Sequence, residues 1–167
     1  TAVGSVAVNN LAHILPNWSV STEWLPNPDG DVYALAIAGN VIYVGGGFDT
    51  IGGQQRPGLA AVDALTGLAT AWKAQSVTYA ARLVILGGTL YLADIGGQVR
   101  AVDTDTGVET SQWTATLTTP DGAYYGQTGA IAIAISGNVL YVGGAFDSIG
   151  GQSRLNLAAI DLLTGTI

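Results

Sequence analysis

One stretch of the sequence occurs twice, and this repetition restricts the possible folds more than any other feature. YVGGGFDTIGGQQRPGLAAVDALTG runs from Tyr43 to Gly67, and YVGGAFDSIGGQSRLNLAAIDLLTG runs from Tyr141 to Gly165, 98 residues later. A shorter copy, YLADIGGQVRAVDTDTG from Tyr91 to Gly107, lies between them and lacks 8 residues from the middle of the pattern. The unit is therefore about half of 98 residues long. Repeats of roughly 20–50 residues are typical of solenoids, propellers and arrays.

Each copy predicts short antiparallel strands. In the first copy we expect strands at Val32–Ala38, Val41–Val44, Leu59–Asp63 and Leu68–Trp72, with a two-residue hairpin turn at Gly39-Asn40 and an irregular Gly-rich segment before the third strand. The other copies predict strands at Arg82–Leu86, Thr89–Ala93, Gln98–Asp103, Val108–Trp113, Ala130–Ile135, Val139–Val142 and Leu157–Asp161. Four short strands in one such unit are typical of a propeller blade. The predicted fold class is therefore all-β, made of four-stranded antiparallel β-propeller blades, with about three repeats.

The predicted domain is a single repeat array over residues 1–167 whose end blades are incomplete. Residues 1–24 are interpreted as the end of a blade, because Trp24 aligns without a gap on Trp72, the closing tryptophan of the first repeat. Residues 31–72 are predicted to form a blade, 77–113 a shortened blade, and 129–167 a blade without its last strand. Two explanations stay open: the chain is part of a larger propeller, or several copies complete one another.

Composition excludes several partners and sites. The net charge is −7 with only 5 Lys and Arg residues, so we expect neither nucleic acid nor an anionic membrane surface as a partner. Uninterrupted apolar runs are too short for a membrane-spanning helix, so membrane insertion is not expected. There is no Cys, which removes disulfides and thiolate metal sites. The absence of Met predicts a processed chain or a piece of a longer one, and we expect an extracellular or cell-surface location.

The repeated string resembles a known class of repeats. VYVGG, IGGQ and LAAxDxxTG followed by Trp are similar to the delta-60-type repeats of bacterial β-propellers, and in style to kelch and quinoprotein-like blades. The resemblance covers residues 31–167, and it implies a propeller in a large secreted or surface-anchored protein. It implies no catalytic residues. AVDALTGLATAW also resembles the tryptophan-docking motif of pyrroloquinoline-quinone dehydrogenases, but Leu68 and Val108 stand where that motif has Lys.

Three aspartates recur at one position of the repeat. Asp63, Asp103 and Asp161 each lie three positions before the threonine of a Thr-Gly pair. A ring of functional carboxylates is one interpretation. We favour the other, in which each carboxylate accepts backbone N–H groups in the turn between the third and fourth strands. DTDTG at Asp103 and Asp105 also resembles a calcium loop faintly, but Glu109 is misplaced for a full set of oxygen ligands.

The candidate ligand-binding residues lie in loops. Asp49 and Asp147 occupy the segment that the middle copy lacks, and each is followed seven residues later by an arginine, Arg56 or Arg154. A buried Asp–Arg ion pair that fixes the loop is one hypothesis, and ligand binding by the aspartates is the other.

Aromatic residues and two isolated polar residues complete the candidates. Tyr124 and Tyr125 lie in a Gly-rich linker and are the aromatic ligand-binding candidates. Asn17 opens an N-glycosylation pattern, Asn-Trp-Ser, and is a candidate glycosylation site. His13 is the only histidine and has no partners for a zinc site or a catalytic triad, so we interpret it as a strand residue. Recurring tryptophans are interpreted as packing between blades.

These observations favour a non-enzymatic extracellular structural or adhesive propeller module without cofactors or metals, which associates with itself by sharing strands between incomplete end blades. Its expected partners are further copies of the chain or the rest of a larger propeller. A carbohydrate- or ligand-binding propeller, with glycans as partners, is the alternative. A fragment of a quinoprotein-like enzyme is the third hypothesis.

Overall fold

The computed structural model describes residues 2–75, 77, 79–110, 114–119 and 129–167, and all regular elements there are β-strands. The strands are β1 (Ala2–Val3), β2 (Val6–Ala7), β3 (Val32–Ala38), β4 (Val41–Gly46), β5 (Thr50–Ile51), β6 (Gln54–Gln55), β7 (Leu59–Asp63), β8 (Ala69–Lys73), β9 (Ala80–Leu86), β10 (Thr89–Asp94), β11 (Gln98–Asp103), β12 (Ala115–Thr118), β13 (Gly129–Ser136), β14 (Val139–Ala145), β15 (Ser148–Ile149), β16 (Gln152–Ser153) and β17 (Leu157–Asp161). The described strand pairs are antiparallel, so the predicted all-β class with antiparallel sheets is confirmed.

The two long copies of the repeat form equivalent sheets. The first sheet has the order β3-β4-β7-β8 and the third has the order β13-β14-β17. Tyr43 pairs with Ala61 in the first, and Tyr141 pairs with Ala159 in the third, so the register follows the 98-residue offset of the sequence. The predicted hairpin turn at Gly39-Asn40 is confirmed: Gly39 has φ +58°, a left-handed conformation that costs glycine little.

The middle copy forms part of a six-stranded sheet with the order β16-β15-β12-β11-β10-β9. Its fourth strand, predicted at Val108–Trp113, is displaced: the strand that pairs with β11 is Ala115–Thr118. In the described part of the predicted range, residues 108–110, an isolated bridge joins Glu109 to Val102. The physical reason is burial, because the alternating side chains that enter the core are those of Ala115 and Leu117.

The Gly-rich segment after the second strand was wrongly predicted to be irregular. In the first repeat it folds back on itself as the hairpin β5-β6, and in the third as β15-β16. Gly52 and Gly53 form the tip with φ values of +58° and +79°, which suits a two-residue hairpin turn. In the third repeat this hairpin also pairs with β12 of the middle repeat, and it thereby ties two sheets together.

The described N-terminal residues, from residue 2 onwards, add no strand to the first sheet. They contain the short β1-β2 hairpin and an isolated bridge between Ile14 and Val20. Trp24 is nevertheless buried against the first sheet, and its Nε1 donates to the carbonyl oxygen of Asp63 at 3.3 Å. Trp72 makes the same bond to Asp103 of the middle sheet at 3.2 Å. Trp24 thus occupies the place of a closing tryptophan, while the blade boundaries at residues 24, 72 and 113 stay a prediction.

The core lies between successive sheets. One face of the first sheet packs on the middle sheet through residues that include Tyr43, Leu59, Ala61, Leu90, Leu92 and Val102. The opposite face of the middle sheet packs on the third through residues that include Tyr91, Val99, Ala101, Leu140, Val142 and Ile160. Each sheet therefore has two apolar faces, as strands with buried residues on both sides require.

Candidate functional site

The recurring aspartates are turn residues, as predicted. Asp63 Oδ1 accepts the backbone N–H of Leu65 at 3.0 Å, the backbone N–H of Thr66 at 2.8 Å and the hydroxyl of Thr66 at 2.9 Å. The same three kinds of bond occur at Asp103 and at Asp161. The interpretation as a local turn is confirmed, and it accounts for the repetition of this residue without a ligand.

These hydrogen bonds change the acidity of the three carboxyl groups. They hold the pKa of Asp63, Asp103 and Asp161 below the ordinary value for aspartate, because donors stabilise the ionised form. The largest contribution comes from the backbone N–H of the threonine three residues on at Asp63 and Asp161, and from its hydroxyl at Asp103. Neither Asp103 nor Asp105 belongs to a metal-binding cluster, since the described residues form no group of three or more His, Cys, Asp or Glu that could hold an ion.

The predicted ion pair between Asp49 and Arg56 is wrong. Arg56 donates from Nε to the carbonyl oxygen of Trp72 at 3.2 Å, from Nη2 to that of Thr70 at 3.0 Å and from Nη1 to that of Gln55 at 2.9 Å. The guanidinium therefore holds the loop hairpin to the fourth strand of its own sheet. Backbone carbonyls replace the carboxylate because β8 presents them along the edge that the hairpin reaches.

The predicted ion pair between Asp147 and Arg154 in the third repeat is also wrong, because Arg154 bonds to other acceptors. Arg154 donates to the side-chain oxygen of Gln152 at 3.0 Å and to carbonyl oxygens that include that of Ile167 at 3.4 Å. Asp147 Oδ1 instead accepts the hydroxyl of Thr118 at 3.4 Å, and the backbone N–H of Asp147 donates to the Thr118 carbonyl at 3.0 Å. Ligand binding by Asp49 and Asp147 stays a prediction.

The remaining candidates are peripheral. Tyr124, Tyr125 and the predicted closing Trp113 lie outside the described residues. Asn17 is exposed on a turn, where its Oδ1 accepts the hydroxyl of Ser19 at 2.7 Å, and its glycosylation stays a prediction. His13 is exposed outside a named strand, so its assignment as a strand residue is wrong; its ring packs edge-on against Trp24, 5.7 Å between centroids.

A charged cluster in the middle repeat was missed by the sequence analysis. Arg100 lies on β11, with its Nε 3.3 Å from Asp94 Oδ2 and its Nη1 3.1 Å from Glu109 Oε2. Asp94 is buried, and its Oδ1 also accepts the backbone N–H of Gln98 at 2.9 Å. Within the described ranges, both ion pairs of the chain belong to this cluster. Every charge has a partner, so the cluster stabilises the sheet and presents no unsatisfied group to a ligand.

The sequence did carry a signal for this cluster. The strand registers place Arg100 at the position that Ala60 holds in the first repeat and Ala158 in the third. An arginine in a strand where two other copies have a buried alanine needs a carboxylate partner. Asp94, six residues before it, could have been named on that ground.

Uncovered apolar sheet faces are the most conspicuous surface feature. Tyr141 and Leu157 are exposed on the third sheet, and Leu35 and Ile37 are exposed on the first. Large apolar side chains grouped on a sheet face are typical of interaction surfaces.

The described part of the chain contains no helix that could cross a membrane.

Comparisons with known proteins agree with this architecture. The family model PQQ_2, described as "Outer membrane protein assembly factor BamB", matches residues 16–167. The curated proteins give no match. The delta-60 and kelch names suggested by the repeats stay predictions.

Solved structures show the same fold at low sequence identity. The crystal structure of BamB from Moraxella catarrhalis aligns with a TM-score of 0.61 and 21% identity, over 92% of this chain and 40% of that one. The computationally designed Ika4 protein aligns with a TM-score of 0.53 and 21% identity, over 82% of this chain and 69% of that one. The designed Ika8 protein gives 0.50 and 21%, over 81% and 34%. These likenesses concern the fold alone.

Proposed function

The chain belongs to the PQQ_2 family of β-propeller-type repeats, and from this premise we propose that it is a non-enzymatic structural or adhesive module that acts outside the cell by binding protein surfaces. The family description names an assembly factor, and assembly is a function of protein–protein contacts. The solved BamB structure is much longer than this chain, which spans 40% of it, so a more specific role is not transferred.

The exposed apolar faces carry this proposal. Tyr141 and Leu157 are exposed on one sheet, and Leu35 and Ile37 are exposed on another. The residues at the same positions of other repeats lie in the core between two sheets. Contact of such apolar surfaces with water is unfavourable, so their burial against a second protein lowers the free energy.

The polar groups support the same conclusion, because the structure uses them internally. Oδ1 of each of the three recurring aspartates accepts three hydrogen bonds within its own turn, and Arg100 is neutralised by Asp94 and Glu109. A catalytic site needs a nucleophile or an acid–base pair with capacity left for a substrate. These side chains hold sheets and turns together instead.

An adhesion assay tests the proposal. Beads coated with the chain are applied under flow to surfaces coated with fibronectin, collagen, fibrinogen or the chain itself. We expect retention on at least one surface, and a clear loss of retention with beads that carry Leu157→Asp. Retention on none of the four, or retention that the substitution leaves unchanged, would overturn the proposal. Trp18→Ala is the control for loss of an exposed apolar side chain, since Trp18 is exposed on an N-terminal turn and belongs to neither sheet.

The family match favours one second candidate, a piece of a quinoprotein-like propeller. The closing tryptophan Trp72 does not fit a quinone site, since it is buried between two sheets with Tyr43 edge-on to it at 5.2 Å. Added pyrroloquinoline quinone should therefore leave the melting temperature and the quinone absorbance unchanged. A saturable rise in melting temperature would establish this candidate instead.

A further inference from the structure

We infer that the exposed face of the third sheet docks on the exposed face of the first sheet in a second copy of this chain, with the packing that already joins the first sheet to the middle sheet. The surface around Tyr141 and Leu157 is called the rear face, and that around Leu35 and Ile37 the front face. The inference rests on the proposed function and specifies its partner.

The rear face has an exact counterpart that is covered within the chain. Tyr43 and Leu59 of the first sheet lie 98 residues before Tyr141 and Leu157, in the same registers. Tyr43 is 3% exposed and Leu59 is 2% exposed, whereas Tyr141 is 43% and Leu157 is 63% exposed. The same side chains on the same strands are thus buried in one repeat and open in the other.

The structure also shows what covers such a face. The face of the first sheet that carries Tyr43 and Leu59 is covered by the middle sheet. The covering residues are Leu90, Leu92 and Val102, together with Leu83 and Ile85 of β9. The strand registers identify the corresponding residues of the first sheet as Ile42, Val44, Val62, Leu35 and Ile37. Val44 and Val62 are buried against Trp24 and Phe48, whereas Leu35 is 48% and Ile37 is 67% exposed. The front face is therefore open around Leu35 and Ile37, and in a single copy it stays apart from the rear face on a different sheet.

An aromatic pair gives the contact its specificity. Tyr43 meets Trp72 edge-on at 5.2 Å, and its hydroxyl donates to the carbonyl oxygen of Thr104 at 2.9 Å. Trp24 contacts the first sheet as Trp72 contacts the middle sheet. The Nε1 of Trp24 donates to the carbonyl oxygen of Asp63, and the Nε1 of Trp72 donates to that of Asp103. Tyr141 of one copy would then pack on Trp24 of the next, and its hydroxyl would reach the carbonyl of Ala64, which follows Asp63 as Thr104 follows Asp103.

A glycine supports the close approach independently. A Cβ on Gly45 would lie 2.5 Å from the carbonyl oxygen of Ala80 in the middle sheet, so the packing of these two sheets requires glycine there. Gly143, its counterpart 98 residues later, has an ordinary backbone conformation, and among the described residues one atom, the carbonyl oxygen of Asn156 at 3.9 Å, lies near the same point. The described part of a single copy gives no steric reason for glycine at Gly143, and docking of a second copy supplies one.

Because the two faces lie on different sheets of the chain, a contact between two copies is head-to-tail, and such contacts produce closed rings or open filaments. The wild-type chain should therefore form a series of oligomers in solution, with an average mass that rises with protein concentration.

Two face variants and their mixture test this arrangement by sedimentation velocity. Leu157→Asp disables the rear face and Ile37→Asp disables the front face; both residues are largely exposed, so each chain should keep its fold. Each variant alone should be monomeric, with self-association weakened by more than about tenfold. Their mixture should form a species of twice the chain mass and nothing larger, because it contains one intact rear face and one intact front face. A mixture that stays monomeric would overturn the head-to-tail contact.

A second variant separates docking from folding. Gly143→Ala adds a methyl group that a single copy accommodates, so the melting temperature of the monomer should be unchanged or higher, while self-association weakens by about tenfold or more. Unchanged association would overturn the inference.

Leu65→Asp is the control for the charge that Leu157→Asp and Ile37→Asp add. Leu65 is exposed, and the residue at the same position of the middle repeat, Asp105, lies beside an interface that forms with the charge present.

The two proposals fail in different ways. If wild-type chain is monomeric at every concentration but coated beads still adhere to a matrix protein through Leu157, the second copy is the wrong partner and the proposed function stands. If the beads also adhere to nothing, both fail.

Discussion

The first and the middle repeat differ at one equivalent position beside the sheet, which holds an apolar cluster in the first repeat and a charged cluster in the middle repeat. In the first repeat, Phe48 is completely buried and packs with Val44, Ile51, Ala60 and Val62. In the middle repeat the loop that would carry this phenylalanine is absent, and Arg100 stands where the first repeat has Ala60. An apolar side chain from a loop has been replaced by a charged one from the strand.

The neighbouring position changes with it. Asp94 occupies the place of Gly46, where an added Cβ would lie 2.9 Å from the ring of Phe48 and 2.1 Å from the carbonyl oxygen of Asp31. Both the backbone of Asp31 and the ring of Phe48 therefore require glycine at position 46, and the middle repeat, which lacks the phenylalanine, has an aspartate there and an arginine in place of Ala60. The comparison teaches that one blade position tolerates two solutions, provided that all three residues change together.

Removal of Phe48 should have the largest effect on the comparison. Phe48→Ala leaves a cavity in a fully buried site and should lower the free energy of unfolding by about 3–5 kcal/mol. Urea unfolding, in the Leu157→Asp background so that association does not contribute, gives this value. Phe48→Leu should lose less, and it keeps the measurement possible if the alanine variant does not fold. A loss below about 1 kcal/mol would mean that the loop does not anchor the sheet.

Arg100→Ala tests the other solution and should have the second-largest effect. It leaves the buried Asp94 without its cation and should cost about 2 kcal/mol, less than a fully buried pair would lose because Arg100 and Glu109 are partly exposed. In a double-mutant cycle, Asp94→Ala with Arg100→Ala should cost less than the sum of the two single changes. Additive losses would show that the arginine acts by packing its stem alone.

Arg56 allows a smaller test of the loop itself. Arg56→Gln removes donors to the carbonyls of Thr70 and Trp72 and should cost about 1 kcal/mol. Arg56→Lys should recover little, since an ammonium cannot bond to several carbonyls in the same fork. Asp49→Ala should be nearly neutral. A loss at Asp49 equal to that at Arg56, and coupled to it, would restore the ion pair that the structure replaces with backbone contacts.

Much of the fold could be predicted from the sequence, because it depends on local patterns. Alternating apolar residues and glycine turns determined the strands Val32–Ala38, Leu59–Asp63 and Leu157–Asp161 to the residue. The turn role of Asp63 was equally local, since its acceptor and donors lie within three residues.

The site was harder, because its contacts join distant segments. Seven residues separate Arg56 from Asp49, yet the arginine bonds to a strand 14 and 16 residues further on, which spacing alone does not show. The fourth strand of the middle repeat was misplaced because the burial of Ala115 and Leu117 depends on the neighbouring sheet. Alignment of the three repeats would have pointed to Arg100, since the change from alanine coincides with the shortened loop.

The turn aspartates are the feature that the repeats share, and they should give the smallest effect and an equal one. Their pKa values lie below the ordinary one, so they stabilise the fold fully above about pH 4, the ordinary aspartate value, and this contribution is lost as the pH falls through their folded-state pKa. Asn at Asp63 or Asp103 keeps the oxygen acceptor and removes the charge. Each variant should therefore show a melting temperature that falls less steeply on acidification than that of the wild type, by a similar amount in both. A much larger change at Asp103 would mean that the Arg100 cluster, on the strand that Asp103 ends, extends its influence to the turn, and that the two repeats differ there as well.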